Sequence, residues 1–224
     1  VIEWAYSLKP DELTIIHIRD WHNEVSDKNH FSQFGSHCIK GSKGAEFIFK
    51  DFILPERNHH VINGSGLNDF IDTELENILD NYKGKEIPVG IMGVWTEAKV
   101  LFLAYELSTR YPEFKIGICS ALTASASRSG HFIAIDQIKN ILGTSVFPSV
   151  SGFTTFLAGS APLFIEDLED YQESNIKIDI EISDNDTDVI KYLFRDCKEV
   201  TFNCLDGGYS GNVVLRGESY DRHG

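Results

Sequence analysis

A series of short apolar runs, separated by segments with helical periodicity, constrains the fold of this chain more than any other feature. The apolar runs are TIIHIRD, HHVIN, IPVGIMGV, FKIGICSA and the shorter VFPSV. The helical segments between or after them are LNDFIDTELENILDNY, VLFLAYELSTRY and HFIAIDQIKNILG. Strands that alternate with helices are typical of a parallel sheet covered on both faces. We therefore predict an α/β fold, a three-layer sandwich with a mostly parallel, doubly wound sheet.

The composition changes after the last of these elements, so we predict a second, smaller unit. The sandwich should occupy residues 1–162, and the acidic stretch at 163–183 is predicted to be a linker. Residues 184–224 contain a helical segment, DVIKYLFRDC, and a glycine-rich hairpin, VTFNCLDGGYSGNVVLRGES. Two isolated strands are marginally stable in water, so this α+β appendage needs a further sheet to join.

The charge and hydropathy of the chain exclude several classes of partner. Acidic residues outnumber basic ones by 34 to 20, the net charge is −14, and no basic cluster is present, so nucleic acid is not an expected partner. No apolar run reaches the roughly 18 residues of a membrane span. The four cysteines are widely spaced and no signal peptide precedes the fold, so we expect a cytoplasmic protein.

Polar or glycine-rich motifs follow the predicted strands, at the edge where α/β proteins carry their sites. The motifs are RDWH (19–22), FSQFGSHCIKGSKGAEF (31–47), VINGSGLNDF (61–70), GVWTEAKV (93–100) and SALTASASRSGH (120–131). One residue among them is unexpected. Lys99 lies on the first turn of a predicted helix, where the helix dipole disfavours a cation.

The motifs resemble those of the isochorismatase-like cysteine hydrolase superfamily, and of its nicotinamidase branch in particular. RDWH and HCIKGSKGAEF are similar to the branch's strand-end Asp and His and to its HCxxGTxGAE loop. GVWTEAKV resembles the nucleophile turn GVxTDxCV, and SALTASASRSGH resembles a DAxxS segment with a downstream histidine. The resemblance covers about residues 4–157. It implies the sandwich fold, hydrolysis of amides or vinyl ethers, and assembly into a homo-oligomer.

The same resemblance implies that the catalytic triad is altered. Amide hydrolases of the superfamily use an aspartate, a lysine and a cysteine; the cysteine position falls on Lys99 and the lysine position on Asn63. The aspartate lies on a first strand, which would precede Val1. Three interpretations of Lys99 remain open: a salt-bridging residue that fills the pocket, with Glu97 as one partner; an anion-binding group; or a catalytic amine. By the same resemblance, the Val94–Trp95 peptide bond is expected to be cis.

Asp20, His22 and His37 resemble the metal triad of the nicotinamidase branch, which implies a divalent zinc, iron or manganese ion. A hydrogen-bonded polar cluster without metal remains an equal alternative. A small-molecule ligand would be contacted by residues next to these motifs, namely Trp21, Trp95 and Thr96. Three further histidines are expected to be solvent-exposed loop residues, namely His30, His59 and His60.

The leading hypothesis is a degenerate cysteine-hydrolase-fold domain that acts as a non-hydrolytic ligand-binding or regulatory module. The first alternative is an active amide hydrolase in which a metal-activated water attacks the substrate. The second is a structural or oligomerisation module. Residues 205–215, LDGGYSGNVVL, also resemble the glycine-rich loop that covers nucleotide phosphates in kinase-like domains, which would imply a further domain downstream; a plain hairpin is the simpler alternative.

Overall fold

The chain forms two compact units, Val1–Leu163 and Phe164–Gly224. The structure is a computed structural model, and it describes residues 1–9, 11–48, 59–159, 174–205 and 214–221. The first unit carries the polar motifs of the predicted site.

In the described part of the first unit, five strands form two parallel sheets. The strands are β1 (Ile15–Asp20), β2 (His59–Gly64), β3 (Pro88–Val94), β4 (Lys115–Ala124) and β5 (Ser145–Phe147). β1 pairs with β2, and β4 lies between β3 and β5. The parallel pairing that the apolar runs predict is therefore confirmed. Among the described residues, β1 and β3 each pair with one strand, so the first unit has two sheets where one continuous sheet was expected.

Six helices accompany these strands in the described residues. They are α1 (Ile2–Ser7), α2 (Lys28–Phe34), α3 (Leu75–Leu79), α4 (Leu101–Arg110), α5 (Arg128–Asn140) and α6 (Val150–Leu157). α5 begins at a serine cap, because the Ser127 side chain accepts a hydrogen bond from the backbone N–H of Gly130. A five-residue π-helix, Thr96–Val100, leads directly into α4 and carries Lys99. None of the described helices is both long enough and apolar enough to cross a membrane.

The helix predicted over LNDFIDTELENILDNY is wrong in its first half. Only Leu75–Leu79 is α-helical, followed by a short 3₁₀ turn at Asp80–Tyr82. Upstream of it, the Asn68 side chain accepts a hydrogen bond from the Phe70 N–H, and Thr73 Oγ1 donates to the Asp69 carbonyl. Side chains that bond the local backbone in this way stabilise turns at the expense of a helix.

Two hydrophobic clusters cover opposite faces of the strands in the first unit. The larger one packs the strands against α3, α4 and α5, and it includes Leu75, Ala104, Ile118 and Ile138. The smaller one packs β4 and β5 against α6. α6 packs closely on β4 because residue 117 is a glycine. A Cβ at Gly117 would lie 2.5 Å from the Phe156 ring. These helix layers on both faces give the predicted α/β sandwich.

The second unit contains a small sheet with one covering helix. Its described elements are β6 (Asn175–Ile178), α7 (Asp184–Leu193), β7 (Cys197–Cys204) and β8 (Leu215–Asp221). β7 pairs in parallel with β6 and antiparallel with β8. The linker prediction for 163–183 is wrong at β6, because Ile176 and Ile178 pack with the apolar cluster of this unit. The glycine-rich segment between β7 and β8 lies outside the described residues.

Candidate functional site

The carboxyl end of β1 and the turn after β3 meet at an ion-pair cluster centred on Lys99. Its Nζ lies 2.6 Å from Asp69 Oδ1 and 3.0 Å from Asp20 Oδ1, and it donates to the carbonyl of Gly66 at 2.5 Å. Two of these contacts are hydrogen bonds from the ammonium, to Asp69 and Gly66, and the third, to Asp20, is an ion pair. The geometry matches the salt-bridging interpretation of Lys99, with Asp20 and Asp69 as its carboxylate partners and not Glu97.

Asp69 is the most deeply buried member of this cluster. Its side chain is 3% exposed, compared with 17% for Lys99 and 27% for Asp20. Burial raises the pKa of Asp69 above its ordinary value, although the ammonium of Lys99 acts in the opposite direction. A buried carboxylate is tolerated when it is paired, so Asp69 and Lys99 depend on each other.

Three histidines lie beside Asp20 and turn ring nitrogens toward one another. The ligand atoms of His22, His30 and His37 are all within 4.8 Å of one another. His37 Nε2 lies 3.4 Å from His30 Nε2 and 3.8 Å from Asp20 Oδ2. Three imidazole nitrogens with a nearby carboxylate oxygen form a donor set that suits a divalent transition metal such as zinc.

Hydrogen bonds outside the cluster fix the orientation of two of these rings. His22 Nδ1 lies 3.2 Å from Asp27 Oδ2, and His37 Nδ1 lies 2.8 Å from the Gly35 carbonyl. Both partners are acceptors, so each Nδ1 carries a proton, and in the neutral form of each ring Nε2 presents a lone pair. His22 is fully buried, and its Nε2 has no hydrogen-bond partner. Such a buried, unsatisfied acceptor fits a metal ligand.

The loop that carries His37 is tied to the end of β1 by backbone hydrogen bonds. The N–H of His22 donates to the Cys38 carbonyl at 3.0 Å, and the N–H of Lys40 donates to the His22 carbonyl at 2.9 Å. This short bridge places His37 next to His22, as the metal prediction requires. Burial, followed by the neighbouring His22 and His37, lowers the pKa of His30, which favours the neutral imidazole that metals bind.

The expectation for the three further histidines is wrong. His30 is a half-buried residue of α2, and its ring stacks on His22 with centroids 4.4 Å apart. His59 and His60 belong to β2 and are also half-buried. A signal for His30 was present in the sequence, because His30 and Phe34 are four residues apart and share one face of a short helix. No helix was predicted at this point, so the spacing alone could not place His30 beside His22.

Asn63 does not join Lys99. In the β1–β2 register Arg19 lies opposite Asn63, and Asp20 lies opposite Gly64. Asn63 Oδ1 accepts a hydrogen bond from Arg19 Nε at 2.8 Å. Successive side chains of a strand point to opposite faces, so Asn63 and Asp20 are on different faces of this sheet. In this chain Asn63 positions Arg19, and the predicted triad-lysine position is structurally separate from the ion-pair cluster.

The three predicted ligand-binding residues differ in accessibility. Thr96 is fully buried and its Oγ1 lies 2.9 Å from His131 Nδ1, so its side chain is not available to a ligand. The Trp21 ring packs on the Arg19 guanidinium, whose Cζ lies 3.9 Å from the ring centroid. Trp95 is 47% exposed and follows the Val94–Trp95 peptide bond, which is cis as expected. Of the three, Trp95 has a free aromatic surface.

Cys119 is not a substitute nucleophile. It lies in β4 with no exposed surface and packs against Phe147 and the phenylalanines of α6. Burial raises the pKa of its thiol, which disfavours the reactive thiolate. The Cys119 side chain is therefore part of the core.

Solved structures of similar fold include nicotinamidases and an isochorismatase-like hydrolase. Nicotinamidase PncA from Bacillus subtilis is 20% identical, with a TM-score of 0.57 over 65% of this chain and 81% of that chain. An isochorismatase-like hydrolase from Alkaliphilus metalliredigens is 25% identical, with a TM-score of 0.54 over 65% and 74%. Pyrazinamidase from Pyrococcus horikoshii, solved in complex with zinc, is 25% identical, with a TM-score of 0.52 over 64% and 80%.

No curated protein matches the sequence. The family described as Isochorismatase domain matches residues 2–146, which include both the histidine cluster and Lys99. This match extends over well more than half of the chain. The chain belongs to the isochorismatase family.

Proposed function

We propose that this domain binds a divalent transition metal and holds a small-molecule ligand beside it without hydrolysing that ligand. The observation that carries the proposal is the state of Lys99. It stands where the family's nucleophile is expected, and its ammonium donates to Asp69 and Gly66 and forms an ion pair with Asp20 at 3.0 Å. An ammonium held in these contacts has no lone pair available for attack.

A covalent route through Lys99 is further disfavoured by its surroundings. A nucleophilic lysine must be a neutral amine, which requires an apolar pocket or a neighbouring cation. Lys99 instead has two carboxylates within 3.0 Å, and one of them is almost fully buried. Deprotonation would leave both carboxylates without their partner, at a cost that a catalytic cycle would have to meet on every turnover.

The metal half of the proposal rests on the histidine cluster. The unsatisfied His22 Nε2, the lone pair on His37 Nε2 and the lowered pKa of His30 all favour a cation in this space. The zinc in the Pyrococcus horikoshii pyrazinamidase structure supports the same assignment. His22, His30, His37 and Asp20 would hold the ion, and Asp27 would orient His22. A bound divalent ion would act as a Lewis acid toward a donor atom of the ligand.

We further propose that the ligand is a carboxamide or carboxylate of a nitrogen heterocycle. The relative solved with zinc is named a pyrazinamidase, which supports this chemical class. A ring nitrogen is a suitable donor to a transition metal, in the same way as an imidazole. Trp95, exposed by 47% and four residues before Lys99, offers an aromatic face on which such a ring can stack.

The test measures binding and turnover in the same samples. The full chain is loaded with Zn²⁺, and nicotinamide, pyrazinamide and their acids are titrated by calorimetry while ammonia release is monitored. We expect binding that requires Zn²⁺ and no release of ammonia. His37→Ala should abolish zinc-dependent binding, whereas His60→Ala, which alters a half-buried histidine of β2 outside the cluster, should retain it.

Three outcomes would contradict the proposal in whole or in part. Ammonia release that a chelator stops and that His37→Ala lacks would show that the domain is a metal-dependent hydrolase. Ammonia release that persists with chelator but is lost in Lys99→Met would show that Lys99 is catalytic after all. Failure of the unaltered chain to bind Zn²⁺ would remove the metal half of the proposal.

A further inference from the structure

Asp20 connects the ion-pair cluster to the histidine cluster through its two carboxylate oxygens. Oδ1 lies 3.0 Å from Lys99 Nζ, and Oδ2 lies 3.8 Å from His37 Nε2. We propose that the Lys99–Asp69 pair is a positioning device that holds Asp20 in the orientation needed to bind the metal. This inference rests on the proposed metal site and assigns Lys99 and Asp69 a role in it.

The pair is well placed for such a role because it is itself fixed. Asp69 lies over Gly64, the residue opposite Asp20 in the β1–β2 register. A Cβ at Gly64 would lie 2.8 Å from Asp69 Oδ1, so the glycine makes room for this carboxylate. The Gly66 carbonyl accepts from Lys99 as well, so Nζ is held by two hydrogen bonds. The ammonium is therefore a fixed positive charge 3.0 Å from Asp20 Oδ1.

The charges of the arrangement are also compatible with a bound cation. An isolated ammonium next to a metal ligand would repel a divalent ion. Asp69 lies 2.6 Å from Lys99 Nζ and balances its charge, so the histidines face a carboxylate with an electrically neutral pair behind it. A carboxylate ligand that is hydrogen-bonded from behind binds metal more tightly, and loss of such a partner typically costs about 10- to 100-fold in affinity.

The experiment is a Zn²⁺ competition titration against a chromophoric chelator, with the full chain. The main variant is Lys99→Met combined with Asp69→Asn, which removes both charges together and so leaves no unpaired buried ion. We expect zinc affinity to fall by about 10- to 100-fold. The single variant Lys99→Arg, which keeps the charge and the donors, should retain most of the zinc affinity. The matched control is Arg110→Met with Glu106→Gln, an ion pair on α4 whose arginine also bonds Glu76.

A double-mutant cycle that combines Asp20→Ala with the Lys99 and Asp69 changes separates positioning of Asp20 from a general effect on folding. If the pair acts through Asp20, adding Lys99→Met and Asp69→Asn to Asp20→Ala should cause no further loss of zinc affinity. The absorption spectrum of the Co²⁺-loaded double variant should also match that of Asp20→Ala, because both have lost the same ligand. Circular dichroism of each variant verifies that it is folded.

The outcomes distinguish this inference from the proposed function. Unchanged zinc affinity in the double variant would overturn the positioning role and leave the metal site intact. A further loss in the Asp20→Ala background would also overturn it, because the pair would then act on the metal independently of Asp20. Absence of zinc binding in the unaltered chain would overturn both proposals.

Discussion

The two halves of the site differ in how completely their polar atoms are satisfied. Around Lys99, the ammonium donates to Asp69 and Gly66 and pairs with Asp20, and the buried Asp69 has its cation. Around the histidines, the buried His22 Nε2 has no hydrogen-bond partner. A satisfied cluster stabilises the fold and has nothing left to bind, whereas an unsatisfied one gains from a ligand.

Under the proposed function, this difference explains how a lysine can occupy the position of the expected nucleophile beside a site that would bind a metal. A lysine in place of a thiol at the start of α4 would be disfavoured by the helix dipole if it stood alone. Asp20 and Asp69 provide the compensating charge. The histidine cluster lies on the other side of Asp20 and does not depend on a thiol.

The largest effect should come from breaking the satisfied half. Lys99→Met leaves the buried Asp69 without its cation, and loss of one partner of a buried pair typically costs about 3–5 kcal/mol. We expect the free energy of unfolding, measured by urea denaturation, to fall by about that amount. Adding Asp69→Asn should recover a large part of the loss, because no unpaired charge then remains.

The control for this prediction is Arg110→Met, which removes an arginine from a more exposed pair with Glu76 and Glu106. Exposed ion pairs contribute only about 0.2–1 kcal/mol. Equal losses of stability in the Lys99 and Arg110 variants would contradict the view that Lys99 belongs to a buried, interdependent cluster.

The next effect concerns the unsatisfied half. A ligand that binds only the folded state stabilises it by about 2.7 kcal/mol at a free concentration 100 times its Kd. We therefore expect Zn²⁺ at such a concentration to raise the melting temperature of the unaltered chain. His37→Ala should remove this shift, and His60→Ala should keep it. A shift of equal size in both variants would mean that zinc binds elsewhere.

A pH series sharpens the same comparison. Imidazoles must be neutral to bind zinc, so affinity should fall as the pH decreases below about 6.5, by about tenfold per pH unit for each histidine that becomes protonated. Burial lowers the pKa of His30, so it should protonate at a lower pH than a free imidazole. As the pH falls, the unfolded chain binds a proton at His30 before the folded chain does. The metal-free chain therefore also loses stability below about pH 6.5, and its free energy of unfolding at each pH is the reference for the effect of zinc. Zinc affinity that stays constant between pH 7.5 and 5.5 would exclude histidine ligands.

Much of the fold could be predicted from the sequence because its signals are local. Apolar runs such as IPVGIMGV and the periodic VLFLAYELSTRY specify β3 and α4 almost to the residue. The failures occurred where side chains override periodicity. Asn68 and Thr73 turn the first half of a predicted helix into bonded turns, and the acidic stretch hides β6, whose two isoleucines alternate within it.

The candidate site was predictable where its residues adjoin a strand end, as with Asp20, His22 and Lys99. The partner of Lys99 was not predictable, because Asp69 lies 30 residues away and reaches Lys99 only through the packing of the turn after β2. Asn63 was assigned by motif position, but strand alternation turns it to the face of Arg19. His30 required a helix that the loop-like sequence did not indicate.

The smallest predicted effect tests whether outer hydrogen bonds prepare the histidine half. Asp27 accepts from His22 Nδ1, and the Asn23 N–H holds the same oxygen at 2.8 Å. The pKa of Asp27 is lowered, chiefly by that backbone bond and by Ser26, so it is a carboxylate at neutral pH. Asp27→Asn keeps an acceptor but removes the charge, and we expect about tenfold weaker zinc binding, near the lower limit for such partners. Glu24→Gln makes the same charge change on the same loop and should leave the affinity unaltered. If both variants bind zinc equally well, the orientation of His22 is set by its buried packing against His30 and Phe31, and the carboxylate adds nothing to it.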